Sequence, residues 1–461
     1  MNSKTLLNVA IICSIFTGLI VGIFSLKTIT VSSPNISTQN SENIENIISD
    51  SGEKTSGDVI FTSGNVEPII PITSTEPEQN ISSENIETEI TKKNIPIPEN
   101  VQAVYATGWV MGTPELRSKM ISSLKEYGYN SIVIDIKDEA GHLTYNSSVQ
   151  TAIDIKASQK MVSDISTVLN ELHENNLYVI GRIVTFKDPT YAGKVSDIAY
   201  KKADGTIWQD SAGNKWPNPY NKASWDYPIA LAKEAAELGF DEIQFDYIRF
   251  PSSEGRVSQI AYGFEFGTKT KSDIIAEFLE KVMVELEPYD VQISADVFGI
   301  ITKRNGDFEN IGQDFSRIAS IVDVICPMVY PSHYNFNEYG LNKPDTTPYS
   351  LIYHSINDAL KRYNEYINKN YSISISGDNF SGDTVIEKSE LNYQNYHLAK
   401  IRPYLQDFTA SWLGRGNYLS YGTTEVQAQI KAQYDLGIKD FTLWDPSNNY
   451  CYSALKNVEG N

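Results

Sequence analysis

Between Val101 and Lys456, eight apolar runs of strand length alternate with about seven stretches of helical periodicity. The runs begin near Val101, Asn130, Leu177, Asp241, Val291, Val322, Ile401 and Ile438, and each is followed at once by polar or aromatic residues. The fourth shows the unit most clearly. Ala223–Leu238 is a helical stretch stopped by Gly239, and Asp241-Glu242-Ile243-Gln244-Phe245-Asp246-Tyr247 follows. A period of two sets Ile243, Phe245 and Tyr247 on one side and Gln244 and Asp246 on the other. Strict alternation of strand and helix predicts a parallel sheet covered by helices. Eight units over roughly 350 residues point to a (β/α)8 TIM barrel, whose catalytic face is built from residues at the C-terminal ends of the strands. An open doubly wound sheet would want a glycine-rich phosphate loop after its first strand, and no such loop occurs there.

The first hundred residues differ. Leu6–Leu26 is nearly continuous apolar sequence between Lys4 and Lys27, long enough to span a bilayer. It lacks a small-residue cleavage site after Leu26, so residues 1–27 are expected to be a cytoplasmic stub and signal anchor, with secretion after signal cleavage as the alternative. Residues 28–98 are rich in Ser, Thr, Asn and Glu, have almost no aromatics and no sustained period, and read as a disordered acidic linker. The expected arrangement is a single-pass protein in the cell membrane with the barrel of residues 99–461 outside. Residues 367–396 look like an insertion within that barrel.

Net charge is −20, which disfavours nucleic acid as a partner, because phosphate binding needs basic patches. Cys326 and Cys451 are too few for a disulfide framework or a zinc site, which leaves one bridge or two thiols. The five histidines, His142, His173, His333, His354 and His397, are scattered, and neither an EF-hand loop nor a nucleophilic-serine turn occurs. No metal or other cofactor is expected.

Acids at strand ends are the candidates for chemistry: Asp135, Asp246, Asp296 and Asp407, on strands two, four, five and seven. Glycosidases place two carboxyl groups across the bond they break. Arg182 stands inside the apolar third strand and needs an acid partner, with Asp135 or Asp246 the choices. Lys137 flanks Asp135 at the rim. Trp109, Tyr330, His333, Trp412 and Trp444 fall at or just after strand ends, where aromatic faces can stack on sugar C–H surfaces. Trp208 and Trp216 are expected to pin the loop after strand three, Arg249 to brace the loop after strand four, and Gln244 to pack inside.

These motifs, among them ATGWVMGTPEL (106–116), IVIDIKDEAGHLTY (132–145), GRIVTFKDP (181–189), GFDEIQFDYIRFP (239–251), SADVFG (294–299), CPMVYPSHY (326–334), RPYLQDFTASWLG (402–414) and LWDPSN (443–448), resemble a bacterial family of glycosyl hydrolase-like proteins, DUF4015. The resemblance spans about Val101 to Lys456 and implies a barrel related to the α-amylase-type glycosidases. It also implies roles. In those enzymes the nucleophile ends strand four, which is Asp246 here, and the general acid ends strand five, which is Asp296. The family's relatives carry glutamate at the second place, so the donor here is one methylene shorter. Asp407 would orient a sugar hydroxyl and raise the acid's pKa by like charge. The implied activity is hydrolysis of a cell-wall or extracellular polysaccharide, with Asp135, Lys137, Arg182 and the five rim aromatics binding substrate. A non-catalytic carbohydrate-binding barrel at the cell surface is the alternative.

Overall fold

The computed structural model describes residues 95–252, 255–262, 269–303, 310–371 and 393–459. The membrane anchor and acidic linker expected of residues 1–98 lie almost wholly outside these residues, as does most of the 367–396 insertion. Among the described residues no helix is long and apolar enough to cross a membrane.

Eight parallel strands close on themselves. They are β1 (Gln102–Ala106), β2 (Ser131–Lys137), β3 (Tyr178–Val184), β4 (Glu242–Asp246), β5 (Gln292–Phe298), β6 (Val324–Met328), β7 (Lys400–Ile401 with Tyr404–Gln406) and β8 (Phe441–Trp444). β1 pairs with both β2 and β8, so no edge is left open. The seventh strand is the exception to the expected pattern. Arg402 and Pro403 interrupt it, because proline has no N–H to give the ladder. Its first half pairs with β6 at Val324↔Lys400 and Ile325↔Ile401, and its second half resumes at Tyr404↔Met328. The first strand also ends early: the chain turns into a short helix, Gly108–Gly112, so Trp109 projects from that helix and not from a strand.

The helices follow the expected stops and starts. Helix α1 (Pro114–Tyr127) opens on a proline at its first turn and ends at Gly128, φ 87°. Between β2 and β3 runs α2 (Ile165–Glu174), capped by the Asp164 side chain. Helix α3 (Asp226–Leu238) ends at Gly239, φ 108°, whose left-handed backbone turns the chain straight into β4. A capping box of Thr270 and Asp273 starts α4 (Lys271–Leu286). Then come α5 (Phe315–Ala319), α6 (Pro348–Tyr371), α7 (Thr423–Tyr434) and α8 (Ser453–Glu459).

Alternation along each strand divides the interior in two. On β4, Ile243 and Phe245 join the apolar layer under the helices. Glu242, Gln244 and Asp246 face the other way, into the barrel. Deep in the barrel Arg402 and Glu242 form a fully buried ion pair, with Arg402 Nη1 donating to Glu242 Oε2 at 3.0 Å. Above them the Tyr404 hydroxyl donates to Gln244 Oε1 at 2.6 Å, and Gln244 Nε2 meets Cys326 Sγ at 3.3 Å. Gln244 is thus a packing residue, as its depth implied. Cys326 and Cys451 are both free thiols, so no bridge joins them.

A buried charge left without its partner costs about 3–5 kcal/mol, whereas a packed apolar pair of similar volume can be neutral. Arg402→Met is therefore expected to lower the unfolding free energy by about 3–5 kcal/mol, and Arg402→Met with Glu242→Leu to recover most of it. Urea unfolding of the two variants tests this.

Candidate active site

Arg182 organises the C-terminal mouth of the barrel. It lies mid-way along β3 and pairs in register with Asp135 of β2 and Gln244 of β4. Register partners share a face, so Asp135 is beside it, and Asp246, two residues beyond Gln244, is one step nearer the mouth. The guanidinium meets both. Nη1 donates to Asp135 Oδ1 at 2.6 Å, while Nε and Nη2 donate to Asp246 Oδ2 at 3.0 and 2.7 Å. Nη2 also donates to Glu139 Oε1 at 2.5 Å. The sequence left Asp135 and Asp246 as alternative partners of Arg182; it takes both, and a third.

Each acid is held by further bonds. The Tyr105 hydroxyl donates to Asp135 Oδ2 at 2.5 Å. Asp246 Oδ1 accepts from the Tyr247 N–H at 2.5 Å. To aim that N–H back, Tyr247 takes φ 51°, a left-handed conformation rarely adopted by a bulky residue. Lys187 Nζ sits 4.8 Å from the centre of the Tyr247 ring.

Asp296 is different. It ends up 1% exposed, and its Oδ1 has no hydrogen-bond partner. Burial and the neighbouring Asp246 charge push its carboxyl well above the ordinary carboxylate range. Asp135 is raised to about 7, chiefly by burial and against the pull of Arg182. Partial burial opposes the charge on Glu139, but Arg182 more than offsets this, and that carboxyl is lowered.

From this cluster an aromatic surface leads outward. The Arg182 guanidinium lies 5.8 Å from the Tyr105 ring, and Tyr105 is 6.5 Å from Trp444. Trp444 packs on Tyr330 at 5.4 Å and edge-on to Phe408 at 5.3 Å. His333, which is exposed, meets Tyr330 at 5.2 Å. Trp412 stacks on Phe408 at 5.7 Å with the rings 19° apart and remains 45% exposed. Trp109, on its short helix after β1, is 62% exposed. Tyr330, His333, Trp412 and Trp444 thus form one continuous aromatic cluster with Phe408, buried at Tyr330 and Phe408 and open at His333 and Trp412.

Two candidates point elsewhere. A bulge between Asp135 and Lys137 shifts the register, so Lys137 pairs opposite Ile183 and turns to the outer layer. There its ammonium donates to Asp188 Oδ2 at 2.6 Å, both side chains fully buried, and sits 4.9 Å from the Tyr227 ring centre. Asp407 follows Gln406 at the end of β7 and faces away from the cluster. Its Oδ2 accepts from the Cys451 N–H at 2.7 Å, and its charge bears on Tyr129 and Tyr452 of the outer layer.

The remaining expectations concern loops. Trp208 and Trp216 are fully buried, with indole N–H groups donating to Arg256 O at 2.8 Å and Asp210 Oδ2 at 3.2 Å. Arg249 lies over Trp216, Tyr247 and Phe298 at 5.1, 5.0 and 4.6 Å, bracing the loop after β4. Three residues of the site carried weak sequence signals. Tyr105 and Phe408 read as core aromatics, and Glu139 sits in a turn that no strand or helix pattern covers.

The family model DUF4015, described as a putative glycosyl hydrolase domain, matches residues 103–374 and 366–450. A hypothetical protein from Ruminiclostridium thermocellum ATCC 27405 is 41% identical over 42% of this chain and 97% of its own, with a TM-score of 0.39. The PgaB (BpsB) glycoside hydrolase domain from Bordetella bronchiseptica is 11% identical, over 78% of this chain and 99% of its own, at a TM-score of 0.49. A chitinase from Chromobacterium violaceum ATCC 12472 is 10% identical, over 78% and 99%, at 0.40. No curated protein matches.

Asp407 offers a test of its placement. Burial raises its carboxyl to about 7, against the Cys451 N–H that lowers it. A folded pKa above the unfolded one of about 4 means that the folded state holds the proton more tightly. The stabilisation is complete below about pH 4 and is lost as pH rises through about 7. The Asp407→Asn variant, which keeps an acceptor for Cys451, should gain thermal stability relative to the parent between pH 5 and 8. A constant difference across that range would place Asp407 in water.

Proposed function

This chain belongs to the DUF4015 family of glycosyl hydrolase-like domains, and on that footing we propose that it hydrolyses a cell-wall or extracellular polysaccharide. The observation that carries the proposal is the contrast between two neighbouring carboxyl groups. Asp246 is bound by Arg182 through two N–H groups. Asp296 is buried beside it with an unpartnered oxygen and a raised pKa. One carboxyl hydrogen-bonded to a guanidinium beside one buried with an unpartnered oxygen can divide the roles of charge and acid. Asp296, whose burial and Asp246 neighbour favour the protonated form, gives its proton to the leaving glycosidic oxygen. Asp246 presents negative charge to the oxocarbenium-like anomeric carbon as the bond breaks. Asp135, tied to the same arginine, fixes the guanidinium from the β2 side.

The aromatic surface supplies binding. Stacking of sugar faces on Trp412 and on the partly exposed Trp444 would remove apolar C–H surface from water and hold a chain across the mouth. An apolar anchor at Leu6–Leu26 would place the barrel outside the membrane, next to such polymers. No cofactor enters the scheme.

One observation favours a second reading. Asp135 and Asp246 are ion-paired and only 5% and 4% exposed. A carbohydrate-binding barrel without turnover would look the same at these two residues. Turnover on a panel of cell-wall and extracellular polysaccharides separates the two. For a hydrolase, Asp246→Asn and Asp296→Asn should each lower kcat by about 10²–10⁴-fold, the usual worth of a positioned acid or base. Parent activity should also decline as rising pH removes the Asp296 proton, and Asp296→Asn should lack that decline in its residual rate. Binding without turnover in the parent and both variants would favour the second reading.

A further inference from the structure

We infer that Glu139 is the general base of this site, taking a proton from the water that attacks the anomeric carbon. The inference rests on the glycosidase reading above and supplies the water-activating group that Asp246 and Asp296 leave unassigned. Three features of the geometry carry it.

The first is access. Glu139 stands in the turn just past the β2 bulge, and its side chain is 44% exposed, while the three aspartates of the cluster are almost sealed. Glu139 is thus the most solvent-open of the four carboxyl groups. The second is anchoring. Glu139 Oε1 accepts from Arg182 Nη2 at 2.5 Å, so an otherwise mobile glutamate is held at the edge of the cluster as a carboxylate.

The third is spacing. The same Nη2 donates to Asp246 Oδ2 at 2.7 Å. Two oxygens bound to one nitrogen stand no farther apart than roughly 5 Å, whereas a carboxyl pair that admits water between its members needs about 6.5–9.5 Å. Glu139 and Asp246 are therefore too close to be the acid and base of an inverting pair, which leaves Asp296 as the acid. Asp246 already accepts three hydrogen bonds, from Arg182 Nε, Arg182 Nη2 and the Tyr247 N–H. Those bonds damp its nucleophilicity and suit it to stabilise charge.

The step follows. The water oxygen bonds to the anomeric carbon, and one of its protons passes to a Glu139 carboxylate oxygen. The bond from that carbon to the glycosidic oxygen breaks, its electron pair stays on oxygen, and that oxygen takes the Asp296 proton. One displacement inverts configuration.

The test uses the full chain and a polysaccharide cleaved by the parent. Proton NMR of the first-formed product should show the inverted anomer. Glu139→Gln keeps an acceptor for Arg182, so it should fold like the parent by thermal melt, yet lower kcat by about 10²–10⁴-fold with KM little changed. Azide, which needs no deprotonation, should restore turnover to Glu139→Ala and give an inverted glycosyl azide. A retained anomer would overturn the inference, as would Glu139→Gln with kcat within about fivefold of the parent. If Asp246→Asn and Asp296→Asn lose activity while Glu139→Gln keeps it, only this inference fails. If none of the three loses activity, or the parent cleaves nothing, the glycosidase reading fails and takes the inference with it.

Discussion

Four carboxyl groups crowded at the mouth of one barrel cannot all be charged without compensation, and Arg182 is what makes the arrangement tolerable. Its guanidinium carries five donors in a rigid fork. They reach Asp135 on one side and Asp246 and Glu139 on the other. Lysine at this position would offer a point charge on a flexible stem and could not satisfy three acids from three segments at once. Asp296 lies outside this ionic arrangement. No hydrogen bond reaches its Oδ1, so the remaining way to relieve its charge is to hold a proton.

The barrel beneath explains why the cluster can be so dry. Its lower interior is filled by the Arg402–Glu242 pair, the Tyr404–Gln244 bond and Cys326, leaving the strand ends as the place where polar groups can meet solvent. A closed ring of parallel strands sets Asp135 level with Arg182, and Asp246 and Asp296 two residues nearer the mouth, by register alone. The aromatic surface then begins where the acids stop, at Tyr105, and continues through Trp444 to the open ring of Trp412.

Much of this was legible in the chain. Helix–strand alternation identified the barrel, since both periods are written into the apolar pattern. The same alternation put Asp246 on the inner face and Gln244 below it. An arginine amid apolar strand residues announced a buried ion pair. What was not legible came from departures from periodicity. A one-residue bulge turned Lys137 to the helix side, and no pattern of apolar residues marks a bulge in advance. The break at Arg402–Pro403 similarly preceded Asp407, which left the expected face and settled against Cys451. Glu139 was hidden because turns carry no period, and its importance comes from a contact with Arg182 forty-three residues away.

The decisive question is whether the proton on Asp296 drives cleavage. A series of aryl glycosides of graded leaving-group acidity answers it. If Asp296 protonates the departing oxygen, Asp296→Asn should approach the parent rate on the best leaving groups and fall steeply behind it on the poorest. An equal loss across the whole series, with no dependence on the leaving group, would contradict that role for Asp296 and leave the cluster without an acid.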